Sequence, residues 1–406
     1  MNPSALSNER LHGLDAVRGF ALLLGVALHA AMSYLPGAEL FWVVADGDRS
    51  QFLAGGFWWI HSFRMTLFFV LAGFFGRLAL QRLGTRNFVR DRGKRIVLPL
   101  VSLWWPVLMA IVAVIVWNAW LKNGGTMPAQ EPQPPLTMRN FPLTHLWFLY
   151  LLAIFYAAML ALRASLRMLD RGGHLQAALD RSVRAIGGPW APLLLAVPAA
   201  IALVSLPIWW HWFGIPTPDT GLIPNPAACV AYGLAFLGGW ALQRQPSLLA
   251  AQSRRWPLNL ALAIAASGAC LYLLKLMPTT APAGDGRIAW GYAFAYAAAG
   301  WAWSLALIGL ALRFLGGHSP VRRYLADASY WIYIVHLPLT MAVQVAASRY
   351  DAPWWVEYPV GLALVLMATL LSYQWLVRRT WIGAWLNGRR VPRPRAAAGG
   401  AAPEAA

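Results

Sequence analysis

Apolar residues in this chain come in long blocks separated by short polar joints. Stretches of 18 or more apolar residues recur over nearly the whole length, each long enough as a helix to cross a hydrocarbon core of about 30 Å. The pattern predicts an all-α, polytopic membrane fold with ten helices. They are expected near residues 15–36, 53–78, 96–120, 142–162, 190–212, 225–243, 257–277, 288–312, 328–348 and 357–377. Proline or glycine punctuates most joins, as at Pro142, Gly188–Pro189 and Pro257. The stretch 121–141, KNGGTMPAQEPQPPLTMRNFP, predicts an outer loop with no core of its own. A single membrane domain is expected over 1–380, followed by a basic, then Ala/Gly/Pro-rich, disordered cytoplasmic tail over 381–406. The polar start MNPSALSNERLHGLD, followed by a long apolar run without a small-residue cleavage site, reads as an uncleaved signal anchor. Neither an internal repeat nor the paired broken helices of an inverted-repeat transporter is evident in the pattern.

Composition supports this reading. Of the 406 residues, 59% are hydrophobic and 12% are charged, against about 25% charged in ordinary soluble domains. The net charge of +18 does not point to nucleic acid, because no basic soluble domain is available to bind it. Polytopic proteins gather Lys and Arg in cytoplasmic loops instead. With the N-terminus inside, 26 of the 33 basic residues fall on the cytoplasmic side and six outside, leaving Arg64 within the membrane. Both termini are therefore expected in the cytoplasm. Cys229 and Cys270 lie in apolar runs, so neither a disulfide framework nor a Cys-based metal site is expected. No metal or permanently bound cofactor is called for.

Ionisable side chains inside membrane helices are costly and mark functional candidates. Here they are Arg18 and His29 in the first helix, His61 and Arg64 in the second, His145 opening the fourth, and His336 in the ninth. Arg18 and His29, eleven residues apart, share one helix face about 17 Å apart along the axis. His61 and Arg64 share a face of the next helix at a similar depth to His29. Simpler roles stay open: Arg18 as an anchor that snorkels to the interface, His29 as an interhelical hydrogen-bonding group, His145 as an interfacial residue. Arg64 fits such a role least, because its guanidinium is permanently charged and deep. Carboxylates are nearly missing from the helix interiors, with Asp15, Asp327 and Glu357 at ends. Proton relays commonly use such carboxylates; a His-plus-Arg set suits a general base beside stabilisers of negative charge. A P-loop is also lacking, which argues against ATP hydrolysis.

The stretch LDAVRGFALLLGVALH resembles the first-helix signature of the acyltransferase-3 family of integral membrane acyltransferases. FFVLAGFF, RGKRIVLP with its Arg92-x-x-Arg95 pattern, and ASYWIYIVHLPL around His336 resemble that family's further blocks in the same order. IHSFRMTLFFVLAGFF and THLWFLYLLAIFY are most similar to its glucan-succinylating branch. The resemblance implies a multi-pass enzyme of the bacterial inner membrane, moving an acyl group from cytoplasmic acyl-CoA to hydroxyls of periplasmic glucans. In that frame Arg92, Lys94 and Arg95, with Arg18, form a mouth for the coenzyme A phosphates. His29 acts as general base or acyl carrier, and Arg64 stabilises an oxyanion or holds the carboxylate of a succinyl group. His61, Ser62, His336 and His145 are supporting or acyl-pocket candidates. Partners are the bilayer, the acyl-CoA donor (succinyl- or acetyl-CoA) and a glycan acceptor. Two other readings stand beside it: O-acetylation of another surface polysaccharide, and transport of an anionic glycan or lipid intermediate.

Overall fold

The computed structural model describes residues 12–127, 134–275 and 286–387. Those residues form twelve α-helices: α1 His12–Ala31, α2 Gln51–Arg92, α3 Leu98–Lys122, α4 Trp147–Leu169, α5 His174–Ile186 and α6 Ala191–Val204. They continue with α7 Pro226–Arg244, α8 Pro246–Leu273, α9 Gly286–Phe314, α10 Pro320–Ala347, α11 Trp354–Ser372 and α12 Trp381–Asn387. Among the described residues there is no β-strand, only an isolated bridge between Pro142 and Thr220.

Local chemistry explains several of the starts. Asn225 accepts from the backbone N–H of Ala228 at 2.7 Å, and Ser319 from that of Arg322 at 3.4 Å. In each case proline follows as the first helical residue, where its missing N–H costs nothing and its φ is already helical.

Each of the ten predicted segments overlaps one of these helices, but the joins differ from expectation. The basic stretch 79–95, expected as a loop, is helical: α2 continues through a break at Gly84 (φ 71°) and passes by one π-helical turn, Gly93–Val97, into α3. A basic stretch can stay helical here because most of its side chains over 81–90 are exposed to solvent, while Asp91 pairs with Arg92 and Arg95. The inside loop expected over 163–189 contains amphipathic α5, bent 104° against α6. The segment expected over 190–212 stops at Val204, and 205–225 folds back as an irregular cap. The start of the expected tail, Trp381–Asn387, is helical and held by the Trp385 indole donating to the Lys94 carbonyl at 2.8 Å. Residues 388–406, like 1–11 and 128–133, lie outside the described residues. Seven continuous helical segments are long and apolar enough to cross a bilayer, α2 and α3 counting as one, or eight with the bent α5–α6 pair.

Helix α1 lies centrally, packed against α10, α2, α9 and α11. Helix α2 packs most closely on α7, and glycine makes that approach feasible. A Cβ at Gly239 would meet the backbone carbonyl of Val70, and one at Gly73 the carbonyl of Phe236. Small residues serve this role between membrane helices generally, because lipid supplies no hydrophobic drive and close van der Waals contact must substitute. Gly239→Val should therefore lower the thermal stability of the purified protein in detergent, by the about 1–3 kcal/mol or more of an overpacked core. Gly56→Ala, with open space around its Cβ, should leave it unchanged. Equal melting temperatures for both variants in a size-exclusion stability assay would remove the close-approach argument.

Candidate active site

The ninth predicted segment carries VHLPL, and its proline organises the site. Pro338, inside α10, has no N–H to give the carbonyl four residues back, which is that of Ile334. The freed carbonyl accepts from His145 Nε2 at 3.0 Å, bringing the start of α4 against α10. Immediately before His145, Thr144 adopts a left-handed φ of 55°, a conformation a β-branched residue holds only when its surroundings enforce it. The Tyr333 hydroxyl donates to the His145 carbonyl at 2.7 Å and completes the clasp.

One turn along, the Nδ1 of His336 lies 2.8 Å from the Tyr333 carbonyl and 3.1 Å from that of Ile332. A carbonyl only accepts, so the proton of a neutral His336 is on Nδ1 and its Nε2 carries the lone pair. That Nε2 is 2.9 Å from Nδ1 of His29. His29 Nδ1–H is then the donor, and His29 Nε2 is left with a free lone pair. The backbone of α10 thus sets the tautomer of a base on α1 by way of His336, much as a second group orients the base in catalytic triads. Gln344, two turns further on α10, donates to the carbonyls of His29 and Ala30, both at 3.1 Å, and accepts from the Trp42 indole at 2.8 Å. The Trp42 ring lies almost parallel to the His29 imidazole, at 7° and 6.1 Å between centroids.

Arg64 reaches the same region from α2. Its Nη1 lies against Gly25, where a Cβ would collide with it; Gly25 is one helical turn from His29 on α1. The Nε of Arg64 is buried and without a hydrogen-bond partner among the described residues. A buried guanidinium whose Nε has no partner among the described residues suits an anionic group.

These groups line one cavity of about 920 Å³. Its basic mouth carries Arg18, Arg82, Arg92 and Arg95 together with Asp15, Asp91 and Asp327; its centre holds His29, Arg64, His145 and His336. At the far end stand Phe41, Trp42, Phe57 and Phe213 with Thr217 and Asp219. Asp91 pairs with both Arg92 (2.6 Å) and Arg95 (2.9 Å), and Asp15 with Arg18 (3.3 Å). Carboxylates thus hold the guanidinium groups in place. The Arg92 guanidinium also lies over the rings of Phe88 and Tyr156, at 5.4 and 5.6 Å.

The cavity therefore gathers most of the residues singled out in the sequence, with two exceptions. Lys94 is exposed and does not line it; one step along the helix from Arg95, it falls on a different face from the i, i+3 pair Arg92 and Arg95. Ser62 is buried with its hydroxyl donating to the Trp59 carbonyl at 2.7 Å, so the hydroxyl is occupied by its own helix and lines no acyl pocket. His61 lines the cavity but pairs with the Tyr296 hydroxyl at 3.3 Å and stacks on Phe57, apart from the imidazole pair. Trp42 and Gln344 carried no recognisable signal in the sequence, where each is one aromatic or polar residue among many; Tyr333 lay inside the ASYWIYIVHLPL block but was not singled out.

A helical bundle whose cavity holds an oriented imidazole pair and a buried guanidinium agrees with the comparisons to known proteins. The acyltransferase-3 family, whose model is described as an acyltransferase domain, matches residues 11–374, and the chain belongs to that family. It is a multi-pass membrane acyltransferase. Among curated relatives, the glucans biosynthesis protein C of Escherichia coli strain SMS-3-5 / SECEC is 24% identical over 410 residues, covering 96% of this chain and 97% of the relative. The protein of the same name from Escherichia coli strain K12 is 23% identical over the same shares. No solved structure matches the chain.

Removing the tautomer control should slow acyl transfer while leaving substrate binding in place. His336→Ala is expected to lower kcat by about 10²-fold, toward the loss of the base itself, with KM values changed little. Steady-state kinetics on purified protein checks this, and an undiminished kcat would disconnect His336 from the base.

Proposed function

We propose that this protein is an O-acyltransferase that takes a succinyl group from cytoplasmic succinyl-CoA and places it on hydroxyls of periplasmic glucans. One cavity carries this reading: a basic mouth at one end, a base and the Arg64 guanidinium at its centre, and an aromatic cluster at the other. Ten membrane crossings with both termini in the cytoplasm put the basic mouth inside, as the asymmetry of 26 against six basic residues favours. The names of the relatives favour a glucan as the acceptor.

Arg92, Arg95 and Arg18, with Arg82 beside them, receive the phosphates of coenzyme A; guanidinium forks match phosphate oxygens in pairs. The pantetheine arm runs along the Arg18–His29 face, about 17 Å in axial length, and brings the thioester to His29. His29 Nε2 takes the proton of the acceptor hydroxyl as its oxygen bonds to the thioester carbon. The imidazolium is stabilised through Nδ1–H by the lone pair of His336, and the oxyanion by Arg64. Collapse breaks the carbon–sulfur bond, and the departing thiolate recovers the proton from His29. No residue is acylated along this route.

Two outcomes are expected with radiolabelled acyl-CoA and glucan in reconstituted protein. Wild type transfers succinyl label to glucan and His29→Ala does not; acetyl label transferred in preference would favour an acetylating enzyme, and no label with any donor would reject acyl transfer. Gly25→Ala should lower kcat by about 10²–10³-fold, the usual cost of losing one oxyanion donor, although it changes no charge. A Gly25→Ala enzyme of normal rate would show that Arg64 need not sit in that gap.

A further inference from the structure

The mechanism leaves the aromatic end of the cavity without a role. Its chemistry differs from the opposite end in a definite way. Every Lys or Arg lining the cavity among the described residues stands at the basic mouth or at the centre. The far end has aromatic rings from three separate parts of the chain. Phe41 and Trp42 come from the connection between α1 and α2, Phe57 from the start of α2, and Phe213 from the irregular cap over 205–225. Phe213 packs edge-on against Phe41 at 4.9 Å and against Phe57 at 5.8 Å, forming a collar. Thr217 and Asp219, both exposed, add a hydroxyl and a carboxylate at its edge.

Within this collar Trp42 is the ring nearest the chemistry. Its indole is locked by Gln344, which is itself locked to the last carbonyls of α1, and it lies parallel to the His29 imidazole. A rigid aromatic plane offers large contact area at little conformational cost. A sugar ring matches such a plane. One face presents C–H groups to the π surface, while its edge carries hydroxyls that need hydrogen-bond partners, as Asp219 and Thr217 provide. A phosphate-bearing lipid or an anionic polymer is poorly matched, because its charge would meet a carboxylate and no cation. Specific pockets commonly combine apolar walls with a few placed polar groups in this manner.

We infer that the aromatic mouth is the saccharide-acceptor subsite, with the Trp42 indole as the plane on which one uncharged sugar ring rests beside His29. This deepens the acyl-transfer reading and rests on it. The ring enters between Phe41, Phe57 and Phe213, lies against Trp42, and presents a hydroxyl to His29 Nε2. Donor and acceptor then approach the base from opposite ends and do not compete for space. Trp42 acts by binding the acceptor, so its loss moves acceptor affinity and not the donor's.

The test uses full-length protein in nanodiscs, labelled succinyl-CoA, and neutral glucose oligosaccharides of graded length as acceptors. Trp42→Leu should raise the acceptor KM about tenfold, within the range of an aromatic contact. Trp42→Phe should restore most of that loss, and the donor KM should move less than about twofold. Phe213→Leu, on a different segment, should raise the acceptor KM in the same direction, which guards against misfolding of one variant. An unmoved acceptor KM in Trp42→Leu, or donor and acceptor KM rising together in all three variants, overturns the subsite. Wild-type protein that labels no oligosaccharide overturns the acyl-transfer reading itself, a result separable from the first because it precedes any substitution.

Discussion

The hydrogen bond between His29 and His336 joins residues 307 positions apart and ties α1 to α10. In an apolar interior, a polar group without a partner is expensive, so each imidazole must be answered by something. His336 is answered by the carbonyls of its own helix, and His29 by His336. His145 donates to a carbonyl that exists as a free acceptor only because Pro338 cannot donate to it. The three histidines are thus mutually dependent, with His145 and His336 rings 5.4 Å apart. The same bonds that make them affordable to bury also assign the protons.

Around this set the bundle uses close helix approach to keep a cavity at its centre. Glycine lets α2 meet α7 backbone to backbone, and glycine again gives Arg64 room beside α1. The cavity lies where α2 faces α1, α4 and α10. The Arg64 guanidinium placed in that space has no carboxylate partner among the described residues, whereas Arg18, Arg92 and Arg95 at the basic mouth are each held by one. The difference separates a group poised for a passing anion from groups that build a receptor.

The two ends of the cavity have different characters because different kinds of chain make them. The basic mouth is built from regular helix, α2 running on past the bundle and turning through a π-helical turn into α3. Arginines there are spaced by helical geometry and can pair with Asp91 within one turn. The aromatic mouth is built from irregular connections, 32–50 and 205–225, whose rings pack on one another and on α2. Phosphate recognition suits the first arrangement and ring stacking the second.

Much of this was already legible along the chain. Each of the ten predicted blocks overlaps a helix, because burial in lipid selects apolar residues irrespective of which helix lies next door, though only seven or eight helical segments among the described residues are long and apolar enough to span. Arg18 and His29 could be placed on one face from helical periodicity alone, and Arg64 could be singled out from the cost of its charge. The family blocks supplied the class of reaction. Other features required tertiary structure. Ser62 and Lys94 looked suitable by position, yet one hydroxyl is taken by a backbone carbonyl and the other side chain is exposed outside the cavity. His336 stood only as a supporting residue, and Trp42 and Gln344 did not stand out at all. Their importance lies in contacts across hundreds of residues, and local sequence carries no record of which distant group a side chain meets. What the sequence determined by itself was where helices form and which charges are too costly to be accidental. What the fold alone decided was which lone pair is left free, since that depends on every hydrogen bond already made around it.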